Sequence, residues 1–198
     1  MAEAQPHTIV RASRLEAFSD GVLAIIITIM VLEIHAPEGK EIADWVPLIP
    51  IVLAYLFSFT FIAIYWNNHH HLLRATKHIT PSVMWTNMLL LFTLSLIPVA
   101  TAWLGENGNY LETWPVVVYS AVSLSSGLAF YLLTVRIVKA NPHDSRLDTF
   151  VASRKGAASP FLYVGAIVVA FFVPIAGIAL LVVSAALWFI PDRTLIED

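Results

Sequence analysis

The chain has 198 residues, of which 58% are hydrophobic and only 13% charged, and its mean hydropathy is +0.76. A soluble domain carries about 25% charged residues, so this composition excludes a soluble globular protein and indicates that lipid is the solvent. The net charge of −3 argues against nucleic acid as a partner, and the absence of cysteine excludes disulfides, thiolate metal sites and thiol catalysis.

Four segments are apolar over about the 20 residues that a helix needs to cross about 30 Å of hydrocarbon. They are predicted at 18–34, 46–66, 83–104 and 114–138. A further apolar stretch, 160–190, is longer than one span needs, and Pro174 and Gly177 near its middle are residues that break helices. We predict two short helices there, with one long helix as the alternative. The prediction is an all-α polytopic membrane protein with six transmembrane helices in one domain, 1–198.

Basic residues are distributed very unevenly between the predicted loops. With the N-terminus in the cytoplasm, ten of the eleven Lys and Arg residues fall in cytoplasmic segments, and Lys40 alone falls outside. The positive-inside rule therefore predicts cytoplasmic N- and C-termini in the cell membrane. No small-residue cleavage site follows the first apolar run, so we expect that helix to be retained rather than removed as a signal peptide.

The first apolar helix begins beside three polar residues, Arg14, Ser19 and Asp20. A carboxylate carried to the bilayer centre costs on the order of 2.5–3.5 kcal/mol, so Asp20 should have a partner. Two interpretations are open. Either Ser19 or Asp20 caps the start of the helix by accepting hydrogen bonds from free N–H groups, or the three residues form a buried cluster that fixes this helix against its neighbours.

The pattern Arg14-x-x-x-Phe18-Ser19-Asp20, followed by Gly21 and a short apolar helix ending in Leu-Glu-Ile, resembles the transmembrane protein 175 family. Its animal members are endolysosomal potassium channels with two six-helix repeats, and its prokaryotic members have one repeat. The resemblance extends to the chain length, the six-helix count and the cytoplasmic N-terminus. It implies a potassium-permeable ion channel rather than an enzyme, with K⁺ as the permeating ion and no cofactor or metal. It also implies that the protein assembles as a homotetramer in which the first helix lines the pore.

The resemblance also implies which residues face the pore. The narrowest point in the family lies five positions after the Asp, which is Ile25 here, and further pore-facing positions are Thr28, Ile29 and Leu32. The helical geometry is compatible, because at 100° per residue Ile25, Ile29 and Leu32 fall within about 60° of one another. Asp20 points to nearly the opposite face.

A ring of isoleucines differs physically from a carbonyl filter. Isoleucine offers no oxygen to replace the hydration shell of an ion, so a tight Ile25 ring acts as a hydrophobic gate. Discrimination then rests on the cost of dehydration and on hydroxyls such as Thr28, and we expect modest selectivity for potassium over sodium. Glu33 and the acidic outer loops are expected to raise the local cation concentration at the pore mouth.

Three consecutive histidines, His69, His70 and His71, follow the predicted second helix. Adjacent side chains point in different directions on a helix, so they do not form a chelate, and an interfacial polar cap is one interpretation. The family's aromatic-x-x-His pattern, here Trp66 and His69, implies instead that His69 joins the polar cluster of the first helix. Asn87 is either a further member or part of an ordinary interhelical hydrogen bond. The expected structural polar network comprises Arg14, Phe18, Ser19, Asp20, Trp66, His69 and Asn87.

Two other classes of function are open. The first is an intramembrane enzyme or redox protein that uses the histidines, which should show paired polar groups at one depth inside the membrane. The ionisable residues of this chain lie instead at predicted helix ends, which argues against that class. The second is a passive membrane scaffold, which only the family resemblance excludes.

Overall fold

The computed structural model describes residues 12–142 and 154–189. Seven α-helical segments make up this part of the chain: α1 (Ala12–Leu32), α2 (Ile49–Arg74), α3 (Pro81–Leu94), α4 (Ile97–Gly105), α5 (Thr113–Ala140), α6 (Arg154–Ala170) and α7 (Pro174–Phe189). Short 3₁₀ helices at Ile42–Leu48 and Glu106–Leu111 precede α2 and α5. All regular structure in the two ranges is helical, which confirms the predicted fold class.

Four segments are long and apolar enough to cross a membrane: Ala12–Leu32, Ile42–Arg74, Pro81–Gly105 and Thr113–Ala140. Two shorter apolar helices, Ala158–Ala170 and Pro174–Phe189, follow them. The six segments agree with the six predicted from hydropathy. The last apolar stretch forms two helices rather than one, because α6 ends at Ala170 and α7 begins at Pro174, which has no amide N–H to continue the preceding helix.

The third predicted segment is also interrupted by a proline. Helix α3 ends at Leu94, and α4 begins at Ile97 with Pro98 as its second residue. Proline is tolerated in the first turn of a helix, where its missing N–H would have no intrahelical partner. The two helices remain stacked as one span, with a break where Pro98 removes a backbone hydrogen bond.

Two helices extend further toward the predicted cytoplasmic side than hydropathy indicated. Helix α1 begins at Ala12 rather than at 18, and α2 continues to Arg74 rather than ending at 66. Ser19 and Asp20 therefore lie inside α1, so the interpretation of either as the N-terminal cap was wrong. His69 lies inside α2 and is only 1% exposed, so the interpretation of this residue as part of a solvated interfacial cap was also wrong. Hydropathy misses such turns because their polar side chains are satisfied inside the bundle rather than by water.

Helix α5 lies at the centre of the bundle and packs against α3, α4 and α6, while α2 packs against α1 and α4. The small residues Ser120, Ser123 and Ser126 of α5 are fully buried. Each of their hydroxyls donates to a carbonyl of α5 itself, so none needs a partner on another helix. Small side chains that satisfy their own polar groups let neighbouring helices approach closely in a membrane.

Candidate functional site

Helix α1 is buried along one stripe only. The buried residues are Leu15, Ser19, Leu23, Ile26 and Met30, spaced three and four positions apart. At 100° per residue they occupy an arc of about 80° on the helix surface. This stripe packs against α2, α3 and α4 and fixes the helix to the rest of the chain.

The other side of α1 carries exposed residues, which we call the open face: Phe18, Gly21, Ile25, Thr28, Ile29 and Leu32. They fall within an arc of about 100° on the helix surface. Ile25 is 58% exposed and Leu32 71%. All four residues that the sequence predicts to face a pore therefore lie on this face, and Glu33, also exposed, follows Leu32 at its end.

Thr28 is the one hydroxyl-bearing residue of the open face. Its Oγ1 lies 3.0 Å from both the Ala24 and the Ile25 carbonyl oxygens, so its hydrogen is engaged within the helix. The oxygen lone pairs remain directed away from those carbonyls and are able to accept from water or contact a cation.

A chain of buried hydrogen bonds joins α1 to α3 and α2. Asn87 Nδ2 donates to Ser19 Oγ at 2.9 Å, and Asn87 Oδ1 lies 2.7 Å from His69 Nε2. Ser19 Oγ donates in turn to the Leu15 carbonyl at 2.8 Å. Because Asn87 Oδ1 only accepts, the Nε2 of His69 carries the proton in this arrangement. Ser19 and Asn87 are fully buried, so these bonds are made without competition from water.

A second contact joins the same end of α1 to α2. The indole Nε1 of Trp66 donates to Asp20 Oδ1 at 3.0 Å. His70 stacks on Trp66 with ring centroids 5.8 Å apart, and its Nδ1 lies 2.7 Å from Glu16 Oε1. The partner that Asp20 needs near the membrane edge is thus an indole N–H.

Arg14 and Phe18 were predicted to belong to this network, and in the described part of the chain they stand apart from it. Arg14 is exposed and forms neither a hydrogen bond nor an ion pair with another described residue. The reason is helical geometry, because six positions turn the helix so that Arg14 and Asp20 point about 120° apart. Phe18 is 53% exposed and lies on the open face. The expectation of a buried Arg14–Ser19–Asp20 cluster was therefore wrong, because Arg14 is exposed, Asp20 is half-buried and bonds to Trp66, and Ser19 bonds to Asn87 instead.

A second group of buried polar residues was not predicted from the sequence. Thr101 Oγ1 lies 2.7 Å from Ser58 Oγ, which lies 2.9 Å from the Tyr119 hydroxyl. These residues are at most 3% exposed, and Thr101 Oγ1 also contacts Met30 Sδ of α1 at 3.9 Å. Each residue type is common in apolar helices and the three are far apart in the chain, so no local pattern reveals the group.

Within 12–142 and 154–189, no three His, Cys, Asp or Glu side chains lie close enough together to hold a metal ion. The consecutive histidines point to separate partners: His69 to Asn87 and His70 to Glu16 and Trp66.

Comparisons with known proteins match both the sequence and the fold. The model of a family described as the endosomal/lysosomal potassium channel TMEM175 matches residues 14–98. A potassium channel from Chryseobacterium sp. (strain P1-3) is 44% identical over 91% of this chain and 93% of its own length. The human endosomal/lysosomal proton channel TMEM175 is 31% identical over 48% of this chain and 21% of its own. The crystal structure of a lysosomal potassium-selective channel TMEM175 homolog from Chamaesiphon minutus superposes with a TM-score of 0.79 at 28% identity, covering 90% of this chain and 96% of that one.

Replacing the amide that joins the three helices tests the buried network. Asn87→Ala removes both hydrogen bonds and leaves His69 and Ser19 without these partners, and we expect a loss of about 1–3 kcal/mol in the free energy of unfolding. The measurement is thermal unfolding of the purified protein in detergent. The matched control is Ser125→Ala, because Ser125 Oγ bonds only to carbonyls of its own helix. Equal stability of the two variants contradicts a structural role for Asn87.

Proposed function

Because this chain belongs to the TMEM175 family of ion channels, we propose that it conducts potassium along the open face of α1. A potassium-permeable ion channel, rather than an enzyme, is the function that its relatives support. The observation that carries the assignment to α1 is the division of this helix into a stripe that is anchored in the bundle and a face that no described residue covers.

The open face suits an ion pathway better than a surface that only contacts lipid. It presents Gly21 and the hydroxyl of Thr28 among apolar side chains. It also ends at Glu33, so a carboxylate stands at one end of the open face, and no charged residue lies along its apolar length. A charge inside the hydrocarbon would be costly, whereas a charge at a pore mouth concentrates ions of the opposite sign.

One chain supplies only one wall of a pathway. We infer that four copies assemble around an axis, with the four open faces of α1 turned inward, because a cyclic arrangement covers an exposed apolar face and encloses a pore at the same time. Native mass spectrometry of the protein released from its membrane gives the copy number. A monomer or a dimer as the only species contradicts the tetramer.

In that assembly Ile25 forms the constriction. Its side chain is 58% exposed at the middle of the open face, and it carries no atom able to replace a water of hydration. A narrow apolar ring excludes water and therefore blocks ions until it widens. Thr28 lies one turn further along, and its oxygen is the contact we assign to the modest preference for potassium over sodium. Glu33 lies at the outer mouth, where its carboxylate attracts cations.

The charge distribution sets the orientation in the cell membrane. We place both termini in the cytoplasm, because six passes return the chain to its starting side and ten of the eleven basic residues then lie on that side. The chain has no cysteine, so single cysteines report on topology without background labelling. A membrane-impermeant maleimide should label Lys40→Cys in intact cells and Lys77→Cys only after permeabilisation. The reverse pattern contradicts this orientation.

Opening the constriction with a polar residue tests the ion pathway. Ile25→Asn lets water enter the ring, and we expect potassium flux into proteoliposomes to rise about tenfold, which corresponds to about 1.4 kcal/mol less barrier. Val31→Asn is the matched control, because Val31 lies on the same helix and is 44% exposed but points about 120° away from Ile25. An equal rise in both variants rules out Ile25 as the constriction. If neither the folded wild type nor the folded Ile25→Asn variant conducts potassium, the channel assignment is contradicted.

Removing the hydroxyl of the open face tests the origin of selectivity. Thr28→Val keeps the shape of the side chain but takes away its oxygen, so we expect the potassium-to-sodium permeability ratio to fall toward one, by about threefold or more. Reversal potentials in planar bilayers under a potassium–sodium gradient measure the ratio. Thr60→Val is the control, since Thr60 Oγ1 bonds to the Leu56 carbonyl on α2, away from α1. An unchanged ratio in Thr28→Val would mean that selectivity arises elsewhere.

A further inference from the structure

A cavity of about 60 Å³ lies between α2, α5, α6 and α7. A water molecule needs about 10–15 Å³ of such space, so the cavity has room for about four or five water-sized groups. On α2 it is lined by Phe61, Ile64, Tyr65 and Asn68, which recur at helical spacing and form one face. Trp66, which binds Asp20 of α1, points about 100–160° away from these residues. The cavity is therefore separate from the polar network and from the open face of α1.

The walls of the cavity are mainly aromatic. Tyr65 packs against Phe61 with centroids 5.0 Å apart and edge-on against Phe130 at 5.8 Å. Tyr163 closes the α6 side and is only 3% exposed. The described residues that line this space include no Lys, Arg, Asp or Glu, which favours an uncharged occupant. An ion or a charged headgroup would be desolvated here without compensation.

One buried hydroxyl in this space lacks a proper partner. Ser184 of α7 is fully buried, and its Oγ interacts with the Tyr163 side chain but forms no hydrogen bond of ordinary geometry with a described residue. Buried polar atoms are usually satisfied, and one that is not indicates a missing partner such as a water or a ligand. The side chain of Asn68, 5% exposed, adds a further polar group to the same wall.

Gly127 of α5 helps to keep the space open. A Cβ at this position would lie 3.2 Å from Tyr163 Cε2, which is tighter than an ordinary contact, so a larger residue would press on the Tyr163 ring that lines the cavity. Tyr131, one turn further along α5, also lines the cavity and is 52% exposed. The cavity therefore reaches the surface of the chain beside Tyr131, on a membrane-spanning helix, and a molecule dissolved in the hydrocarbon has a route into it.

We propose that this cavity binds a small neutral amphiphile, an apolar body of a few carbon atoms with a single hydroxyl group, such as a short alkanol. The hydroxyl of the ligand bonds to Ser184 Oγ, which both donates and accepts, and the carbon atoms lie against Phe61 and Phe130. Aromatic walls with one or two placed polar groups are the usual lining of a small-molecule site. The proposal does not depend on the route that ions take along α1.

Photolabelling of the full-length protein in proteoliposomes tests the site. The probe is 3-azibutanol, a diazirine-bearing alkanol, and labelled peptides are read by mass spectrometry. We expect labelling at Tyr65 and Tyr163 to exceed labelling at Tyr55, a half-buried tyrosine of α2 outside the cavity, by about fivefold or more. Ala185→Phe, which fills the cavity, should reduce the labelling of the two tyrosines about fivefold. Val182→Phe is the matched control on the same helix, because Val182 is 48% exposed and lies outside the cavity, and it should leave the labelling unchanged.

A second variant tests whether the site recognises the hydroxyl of the ligand. Ser184→Ala removes one oxygen atom and leaves the aromatic walls of the cavity unchanged. Ser184→Ala should lower tyrosine labelling by 3-azibutanol about threefold and leave labelling by the corresponding diazirine hydrocarbon unchanged. Labelling at Tyr163 no stronger than at Tyr55 overturns the site. A different outcome is that Ala185→Phe abolishes the labelling and Ser184→Ala leaves it unchanged. This outcome overturns the ligand class, because the cavity would then bind a hydrocarbon as readily as an alcohol. Each variant is compared only after it elutes with the wild-type assembly in size-exclusion chromatography.

Discussion

Hydrogen bonds made inside hydrocarbon hold α1 from one side only, and the rest of the arrangement depends on this. In lipid no water is available to satisfy a polar group, so Asn87 forms hydrogen bonds with both Ser19 and His69 within the bundle. At the membrane edge Asp20 takes the indole N–H of Trp66. These directional contacts fix the rotation of α1 about its own axis, which apolar packing alone specifies weakly because lipid and protein interiors are equally apolar.

Fixing the rotation decides what the opposite face can do. With the buried stripe locked against α2, α3 and α4, the face that carries Ile25 and Thr28 is presented outward along the whole helix. A contact further along the helix, Thr101 with Met30, holds its other half in the same rotation. A helix that is anchored on one side and open on the other is suited to lining a pathway between copies. An enzyme would instead need reactive groups converging inside the bundle.

Much of this could be predicted from the residues themselves. Hydropathy predicted five apolar stretches, because a membrane span has a required length and composition, and Pro174 with Gly177 divided the last of them into two. Proline predicted the break before α7, because it lacks an amide hydrogen, whereas the break before α4 was found only in the structure. The motif around Phe18, Ser19 and Asp20 pointed to the family, and helical periodicity put Ile25 on the face away from Asp20. Each of these is a local property of the chain.

The tertiary structure decided what depends on partners far apart in the sequence. Asn87 meets Ser19 across 68 positions, and Tyr119 meets Ser58 across 61. No local pattern encodes such distances, since they arise from how helices of similar composition pack. The cavity beside Ser184 has the same origin. Composition and periodicity determined which segments enter the membrane. Packing determined which polar atoms meet there, because a hydrogen bond between helices joins two residues that lie far apart in the sequence.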